Sequence, residues 1–315
     1  MAVALIIQVW DAELWARTVK ALSPDLDLRV WPDRMGNPAE IDYAVAWRPP
    51  PNVLRSLPNL KLIFSLGAGV DAILSDPTLP ENVPIARVID PDLTMRMTEY
   101  VVMQVLMHHR QQRRIEENQR RKIWDSFPTH GASDLAVGIL GLGTLGEDAA
   151  TKLLSLDFKV AGWSRTRKRI PGVHCYAGEA ELDAFLGRTD VLVCLLPHTT
   201  DTTGFIDRGL IGKLSRKGPF GAPILINAAR GKIQVEADIL AALDADELHA
   251  ATLDVFETEP LPPDSPFWTH PKVSVTPHLA ADSDPTTIAS YALRQIERHE
   301  AGLPLDNLID RARGY

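Results

Sequence analysis

Short apolar runs rich in Val, Ile and Leu recur along the chain. VALIIQVW, YAVAW and LKLIFSL fall in the first third, and LAVGIL, FKVAGW, DVLVCLLP, APILINAA, HAATLDVF and KVSVTP follow from Leu135 onward. Turn residues bound each run, and polar alternation is weak, the pattern of strands buried on both faces of a parallel sheet. Helical or turn-rich segments such as NVLRSLP, VDAILSD and EDAATKLLSL separate them. The fold class is therefore α/β, with one small doubly wound unit first. The six later runs suit a dinucleotide-binding sheet.

Between the two series lies MRMTEYVVMQVLMHHRQQRRIEENQRRKIW, from Met95 to Trp124, which begins with an apolar face and ends highly charged. Without Gly or Pro, it predicts one long helix linking two units. Its basic residues, Arg110, Arg113, Arg114, Arg120, Arg121 and Lys122, are interrupted by Glu116 and Glu117. That mixture fits a solvated helix face or a subunit contact better than a nucleic-acid site. After Pro285 a helical segment runs through His299 to the polar ending LPLDNLIDRARGY, long enough to return the chain to the first unit.

At 315 residues the chain suits two domains, and 45% hydrophobic and 23% charged residues are ordinary globular values. A formal charge of −8 argues against nucleic acid or an anionic membrane as partner. The opening MAVALIIQVWDAELW is too short an apolar run for a membrane span and has no basic segment before it, so it reads as a first strand. Of the two cysteines, Cys175 and Cys194, the second sits inside DVLVCLLP as a buried reduced thiol, which points to a cytoplasmic compartment. Metal-type Cys/His spacing is absent, and His108 and His109 are neighbours whose side chains point apart on a helix; no metal is expected.

Candidate chemistry begins at LAVGIL followed by GLGTLG, which sets Gly141, Gly143 and Gly146 between a strand and a helix-forming segment. There the first two glycines allow a tight turn and close approach of backbone to a pyrophosphate. The third lets helix and strand pack, and the helix N-terminus supplies N–H donors. At the end of the next strand a carboxylate ordinarily accepts from the ribose 2′-hydroxyl of NAD. Here the chain reads Ser164, Arg165, Thr166, Arg167, Lys168, Arg169. A missing acid and a gained charge favour a 2′-phosphate paired with these cations, hence NADPH with NADH weaker, and Arg165 is placed either to stack on adenine or to make a bidentate contact.

Three later segments put polar groups directly after apolar strands: Arg230 in LINAARG, Asp254 and Glu259 in LDVFETEP, and His278 in VTPHLAA. Reducing a 2-keto acid requires a cation for the carboxylate and carbonyl, a proton donor for the forming alkoxide, and a group that controls that donor. Arg230 offers a planar permanent charge, and a histidine such as His278 a proton near neutral pH, especially where a carboxylate such as Glu259 stabilises its charged form. Each residue type alone is ordinarily a surface charge or a noncatalytic histidine. Their shared strand-end positions favour a site.

Taken in order, SLGAGVD, GLGTLG, INAARG, LDVFETEP and TPHLA resemble the D-2-hydroxyacid dehydrogenase family across almost the whole chain. The resemblance implies a Rossmann cofactor domain, residues 99–284, inserted in a flavodoxin-like substrate domain of residues 1–98 and 285–315. It implies Arg230 as substrate anchor, His278 as acid/base, Glu259 as its partner, and Asp254 near the nicotinamide carboxamide. Cofactor contacts would come from Gly141, Gly143, Thr144, Leu145, Gly146, Ser164, Arg165, Thr166, Leu196, Pro197, Ala228, Arg230, Asp254 and His278. The turn at Gly67, Ala68 and Gly69, ahead of a predicted helix, would hold the substrate carboxylate by backbone N–H groups. A homodimer through the cofactor domain is also implied, and closure of the two domains over substrate is expected because hydride transfer benefits from exclusion of water.

Within the family, AWRPP, SRTRKR and the ending DRARGY look like bacterial glyoxylate/hydroxypyruvate reductases of the A type, which brings Trp47 and Arg48 to a small 2-keto acid substrate. Alternatives remain a reductase of bulkier acids such as phenylpyruvate or 2-ketoisocaproate, and a dinucleotide-sensing module without catalysis. Formate dehydrogenases share the architecture but carry Gln where this chain has Glu259.

Overall fold

The computed structural model describes residues 1–67, 69–282 and 284–314. The chain divides into two units, Met1–Leu93 with Ser283–Tyr315, and Thr94–Asp282. In the first unit, strands β1 (Ala2–Ile7), β2 (Asp27–Val30), β3 (Ile41–Trp47), β4 (Leu62–Ser65) and β5 (Ile85–Arg87) pair in parallel in the order β2-β1-β3-β4-β5. This is the flavodoxin-type winding. The central strand β1 is buried along its whole length. Val3, Leu5 and Ile7 face one side, and Ala2, Ala4 and Ile6 the other, so a parallel strand needs apolar residues at every position.

Helix α1 (Ala12–Leu22) lays Trp15, Ala16 and Val19 on the Leu5 side, and Asp11 caps it by accepting from Glu13 N and Leu14 N. A short α2 (Asp71–Leu74) covers the other face through Ile73. Two strands escape the hydrophobic reading. β2 is an edge strand with one fully buried residue, and β5 has only three residues. Neither carries enough apolar residues in succession to register as a run.

Helix α3 (Pro91–His109) starts in the first unit and ends in the second. The division falls at Leu93, inside this helix rather than at residue 98, because a continuous helix bears no punctuation at a domain boundary. The predicted single helix over Met95–Trp124 is in fact two, since Gln111 at φ 52 separates α3 from α4 (Gln112–Arg120). No Gly or Pro marks the break. It sends Arg113 to the carbonyls of Pro271 and Val273, which its guanidinium caps at 2.8 and 2.6 Å.

The second sheet contains β6 (Ala136–Leu140), β7 (Lys159–Ser164), β8 (His174–Ala177), β9 (Val191–Cys194), β10 (Ile224–Asn227), β11 (Ala250–Leu253) and β12 (Val273–Val275), all parallel. Their order, β12-β11-β10-β9-β6-β7-β8, is a Rossmann winding with one further edge strand. The unpredicted seventh strand, β8, is half-exposed and buries only Tyr176 fully. Helices α5 (Thr144–Ser155), α6 (Leu182–Leu186), α7 (Arg208–Gly212) and α8 (Glu236–Asp244) connect the strands. The order reverses between β6 and β9, whose C-terminal ends open a crevice where such sheets bind ligands.

Helix α9 (Pro285–Glu300) belongs to the first unit, packing Ile288, Ala289, Ala292 and Ile296 into the core that holds α1. Beyond it the tail runs antiparallel to β5, with Ile309 N donating to Ile85 O at 2.8 Å. Among the described residues no helix is long and apolar enough to cross a membrane. Cys175 and Cys194 are both free, and burial pushes the Cys194 thiol up to about 12.

Helix α3 is fastened to β11 by a polar contact inside an apolar interface: His108 Nε2 lies 2.8 Å from Thr252 Oγ1, which also meets Gln104. Burial lowers the His108 pKa from 6.5 to about 4. The unfolded chain therefore takes up a proton that the folded one refuses as pH falls from roughly 6.5 to 4, and stability declines through that window. His108→Gln, which hydrogen-bonds but does not titrate, is expected to flatten this acid-side fall in thermal midpoint. An unchanged slope between pH 7 and pH 5 would contradict it.

Candidate active site

The turn after β6 is built from three glycines under three different constraints. Gly141 has φ +103, and a Cβ there would lie 2.8 Å from Leu195 O. Gly146 sits on α5 where a Cβ would come 1.9 Å from Gly141 O, so the helix and the turn pack backbone to backbone. Gly143, the N-cap of α5, is extended and faces open space, with nothing within 4 Å of a Cβ. No side chain caps the helix. The N–H groups of Thr144, Leu145 and Gly146 have no acceptor within α5 by the geometry of a first turn. An open space bounded by helix amides fits a pyrophosphate.

Where β7 ends, Ser164 Oγ donates to Thr166 O at 2.8 Å and closes a tight turn. Arg165 and Thr166 are exposed at its tip. Arg167 is turned back to Glu181 and to Cys175 O, so this one of the clustered cations serves the fold. No carboxylate occupies the segment Ser164–Arg169. Across the crevice, Leu196 follows β9 as a buried residue with Pro197 exposed, and Ala228 is buried after β10.

Arg230, Asp254, Glu259 and His278 stand on loops after β10, β11 and β12, and hydrogen bonds join those loops. Asp254, 1% exposed, accepts from Thr276 Oγ1 at 2.5 Å, Leu279 N at 2.9 Å and Ala280 N at 3.0 Å. Its carbonyl accepts from His278 N at 2.8 Å. These bonds hold His278 in a left-handed conformation, φ 56, which a non-glycine residue adopts at a cost. His278 Nδ1 then lies 2.9 Å from Glu259 Oε2, while Glu259 Oε1 accepts from Phe256 N. A carboxylate only accepts, so Nδ1 carries the hydrogen and Nε2 is left to hold or release a proton.

Residues that the sequence did not single out fix the Arg230 loop. Buried Asn227 accepts from Ala229 N at 3.0 Å and donates to Arg230 O and to Gln234 Oε1; Gln234 in turn donates to Val255 O at 3.0 Å. Gly231 meets Phe256 so closely that a Cβ would fall 1.9 Å from its carbonyl. The Arg230 and Glu259 loops thus form one body. Arg230 Nη1 donates to Ala229 O at 2.7 Å. Behind Thr276, the hydroxyl of Tyr100 on α3 lies 2.7 Å away, and burial raises its pKa. A polar residue ending an apolar strand, as in Asn227, is a usable signal. Gln234 and Tyr100 have none.

In the first unit, Trp47 ends β3 and Arg48 follows at φ 47. Gly67 is required by Trp47, since a Cβ there would lie 2.0 Å from Cζ3 of that ring. Ser65 Oγ lies 3.1 Å from both Gly67 O and Gly69 O. Ala68 falls outside the described residues. The helix predicted to follow this turn is the single turn α2, which begins only after Val70. Among the described residues no group of three or more His, Cys, Asp or Glu side chains is placed to hold a metal.

A family model described as D-isomer specific 2-hydroxyacid dehydrogenase, NAD binding domain, matches residues 102–280. Over 311 residues, 97% of either chain, the sequence is 40% identical to glyoxylate/hydroxypyruvate reductase A of Yersinia enterocolitica. Among solved structures, an NADPH-dependent glyoxylate/hydroxypyruvate reductase of Sinorhizobium meliloti, in complex with NADP and sulfate, aligns over all of both chains with TM-score 0.95 and 46% identity. A probable 2-hydroxyacid dehydrogenase of Rhizobium etli, in complex with NADP, HEPES and L(+)-tartaric acid, aligns with TM-score 0.94 and 46% identity, covering 100% of this chain and 99% of the other.

Replacing Asp254 by Asn puts an amide donor against backbone donors in the turn that carries His278. The expected result is a loss of about 1–3 kcal/mol of stability and a fall in turnover, with dinucleotide binding retained. Denaturation, activity and binding measured on one preparation check this. Full turnover in the variant would remove Asp254 from the positioning of His278.

Proposed function

This chain belongs to the D-isomer specific 2-hydroxyacid dehydrogenase family, and we propose that it is an NADPH-dependent reductase of glyoxylate and hydroxypyruvate, yielding glycolate and D-glycerate. The observation that carries this reading is the His278–Glu259 pair at 2.9 Å, on a loop that Asp254 anchors after β12. The similarity to reductases of those two acids narrows the substrate class.

NADPH, when bound, supplies the hydride. Gly141, Gly143, Thr144, Leu145 and Gly146 take the pyrophosphate, and Ser164, Arg165 and Thr166 the ribose end. Leu196, Pro197, Ala228, Arg230, Asp254 and His278 are assigned to the remainder of the dinucleotide. For Asp254 the natural acceptor is Oδ2, which carries one internal hydrogen bond against two on Oδ1. The absence of an acid after β7 and the exposed Arg165 support a 2′-phosphate.

For the chemistry, Arg230 binds the carboxylate and the keto oxygen of the substrate, where a planar guanidinium matches two acceptors at once. His278 Nε2 gives its proton to the oxygen that becomes the hydroxyl, while Glu259 holds Nδ1 and balances the imidazolium. Trp47, Arg48 and the Gly67–Ala68–Gly69 turn complete the assignment to substrate. The exposed apolar residues Met103, Ile115, Ile123 and Trp124, the last 99% exposed, support a homodimer formed through the second unit. Two free thiols support a cytoplasmic setting.

Initial rates on glyoxylate and hydroxypyruvate with NADPH and with NADH test the reading. Faster NADPH oxidation is expected, and Arg165→Ala should weaken NADPH on the order of ten-fold while leaving NADH nearly unchanged. Activity with NADH alone would overturn the cofactor assignment, and turnover of phenylpyruvate alone the substrate assignment. His278→Ala should lose a factor of about 10²–10⁴ in kcat while still binding NADPH. An unaltered rate in that variant would discard the acid/base role.

A further inference from the structure

Three indoles stack at the C-terminal edge of the first sheet. Trp15, on α1, is 4% exposed and part of the core. Trp10 lies parallel to it, with centroids 5.6 Å apart at 7°, and Trp47 lies parallel to Trp10 at 4.3 Å and 10°. Trp47 is also pressed against Gly67, at a distance that leaves no room for a side chain. Main chain ties the same groups together, since Gln8 N donates to Trp47 O at 3.0 Å.

The short connection that carries Trp10 is held in an unfavourable conformation. Val9 has φ 76, a left-handed value that is a genuine outlier for a β-branched residue, and its side chain is 80% exposed. Burial of Val9 does not offset that cost. What the kink achieves is the placement of Trp10, because Asp11, the next residue, is already fixed as the cap of α1. Strain of this kind persists where the surrounding structure gains from it.

We propose that Trp10 is a positioning residue for substrate size: stacked between the core and Trp47, it holds the Trp47 indole as a rigid wall beside the Gly67 turn and confines the enzyme to short 2-keto acids. The inference rests on the assignment of Trp47 and the Gly67 turn to the substrate. An indole free to change rotamer would yield to a phenyl or branched side chain, whereas one clamped between a second indole and a backbone does not. A wall of this kind excludes a larger acid and has little effect on a smaller one.

The test compares kcat/KM for glyoxylate, hydroxypyruvate and phenylpyruvate, at saturating NADPH, in the parent and in Trp10→Leu, Trp10→Met and Trp10→Phe. Leu and Met fill space against Trp15 but stack no ring. In either folded variant, the ratio of phenylpyruvate to glyoxylate activity should rise about ten-fold or more. The gain should come through phenylpyruvate KM, with the KM for NADPH unmoved. Trp10→Phe, which restores a stacked ring, should return the ratio to the parent's. A purely structural Trp10 would instead lower the thermal midpoint and all three activities alike; that result, or an unchanged ratio, overturns the proposal. A parent inactive on both small acids overturns the proposed function itself, and the size filter with it.

Discussion

The carboxylate of Asp254 is the point from which the candidate site hangs. A carboxylate at 1% exposure is costly to bury unless its oxygens are met, and here one hydroxyl and two backbone amides meet them. All three donors come from the segment Thr276–Ala280. Satisfying the buried charge and folding the His278 turn are therefore one event. The left-handed backbone of His278 and the aim of its ring at Glu259 follow from it.

The neighbouring loops are joined by close contact where hydrogen bonds are few. Gly231 lets the Arg230 turn rest on the backbone of Phe256, and Asn227 and Gln234 bridge the same two loops from beneath. The guanidinium of Arg230 and the imidazole of His278, the two groups proposed to act on substrate, are thereby carried on a common support. Arg113, donating to the carbonyls of Pro271 and Val273, steadies the start of β12, the strand that leads to His278. The kink at Gln111 that allows this has no counterpart in the local sequence, because Gln is neither a helix breaker nor a preferred left-handed residue.

Legibility in the sequence follows the physics of each element. Central parallel strands such as β1, β6 and β9 must be apolar on both faces, so they stand out as unbroken runs. Edge strands β2 and β8 owe little to burial and cannot be seen that way. Arg230, Glu259 and His278 stand out as candidates because each lies three residues beyond an apolar run of the sequence, LIN, LDVF and VSV. Gln234 and Tyr100 do not, since their importance lies in which distant atoms they reach, and no spacing along the chain encodes that. Trp10 follows a recognisable strand, yet its stacking on Trp47 depends on the conformation of Val9, which an ordinary reading of valine would place in a strand.

The three glycines after β6 would not share a fate if the chain ever ceased to need its dinucleotide. Gly141 and Gly146 answer to the polypeptide itself, one through its dihedral angle and the other through the carbonyl packed against it. At Gly143 a Cβ would meet no atom of the described residues, and its place as the N-cap of α5 favours glycine only mildly. A descendant freed from catalysis would keep the first and third and drift at the second, most readily to another residue that caps a helix. Of the whole motif, the middle glycine alone records whether the ancestral ligand is still in use.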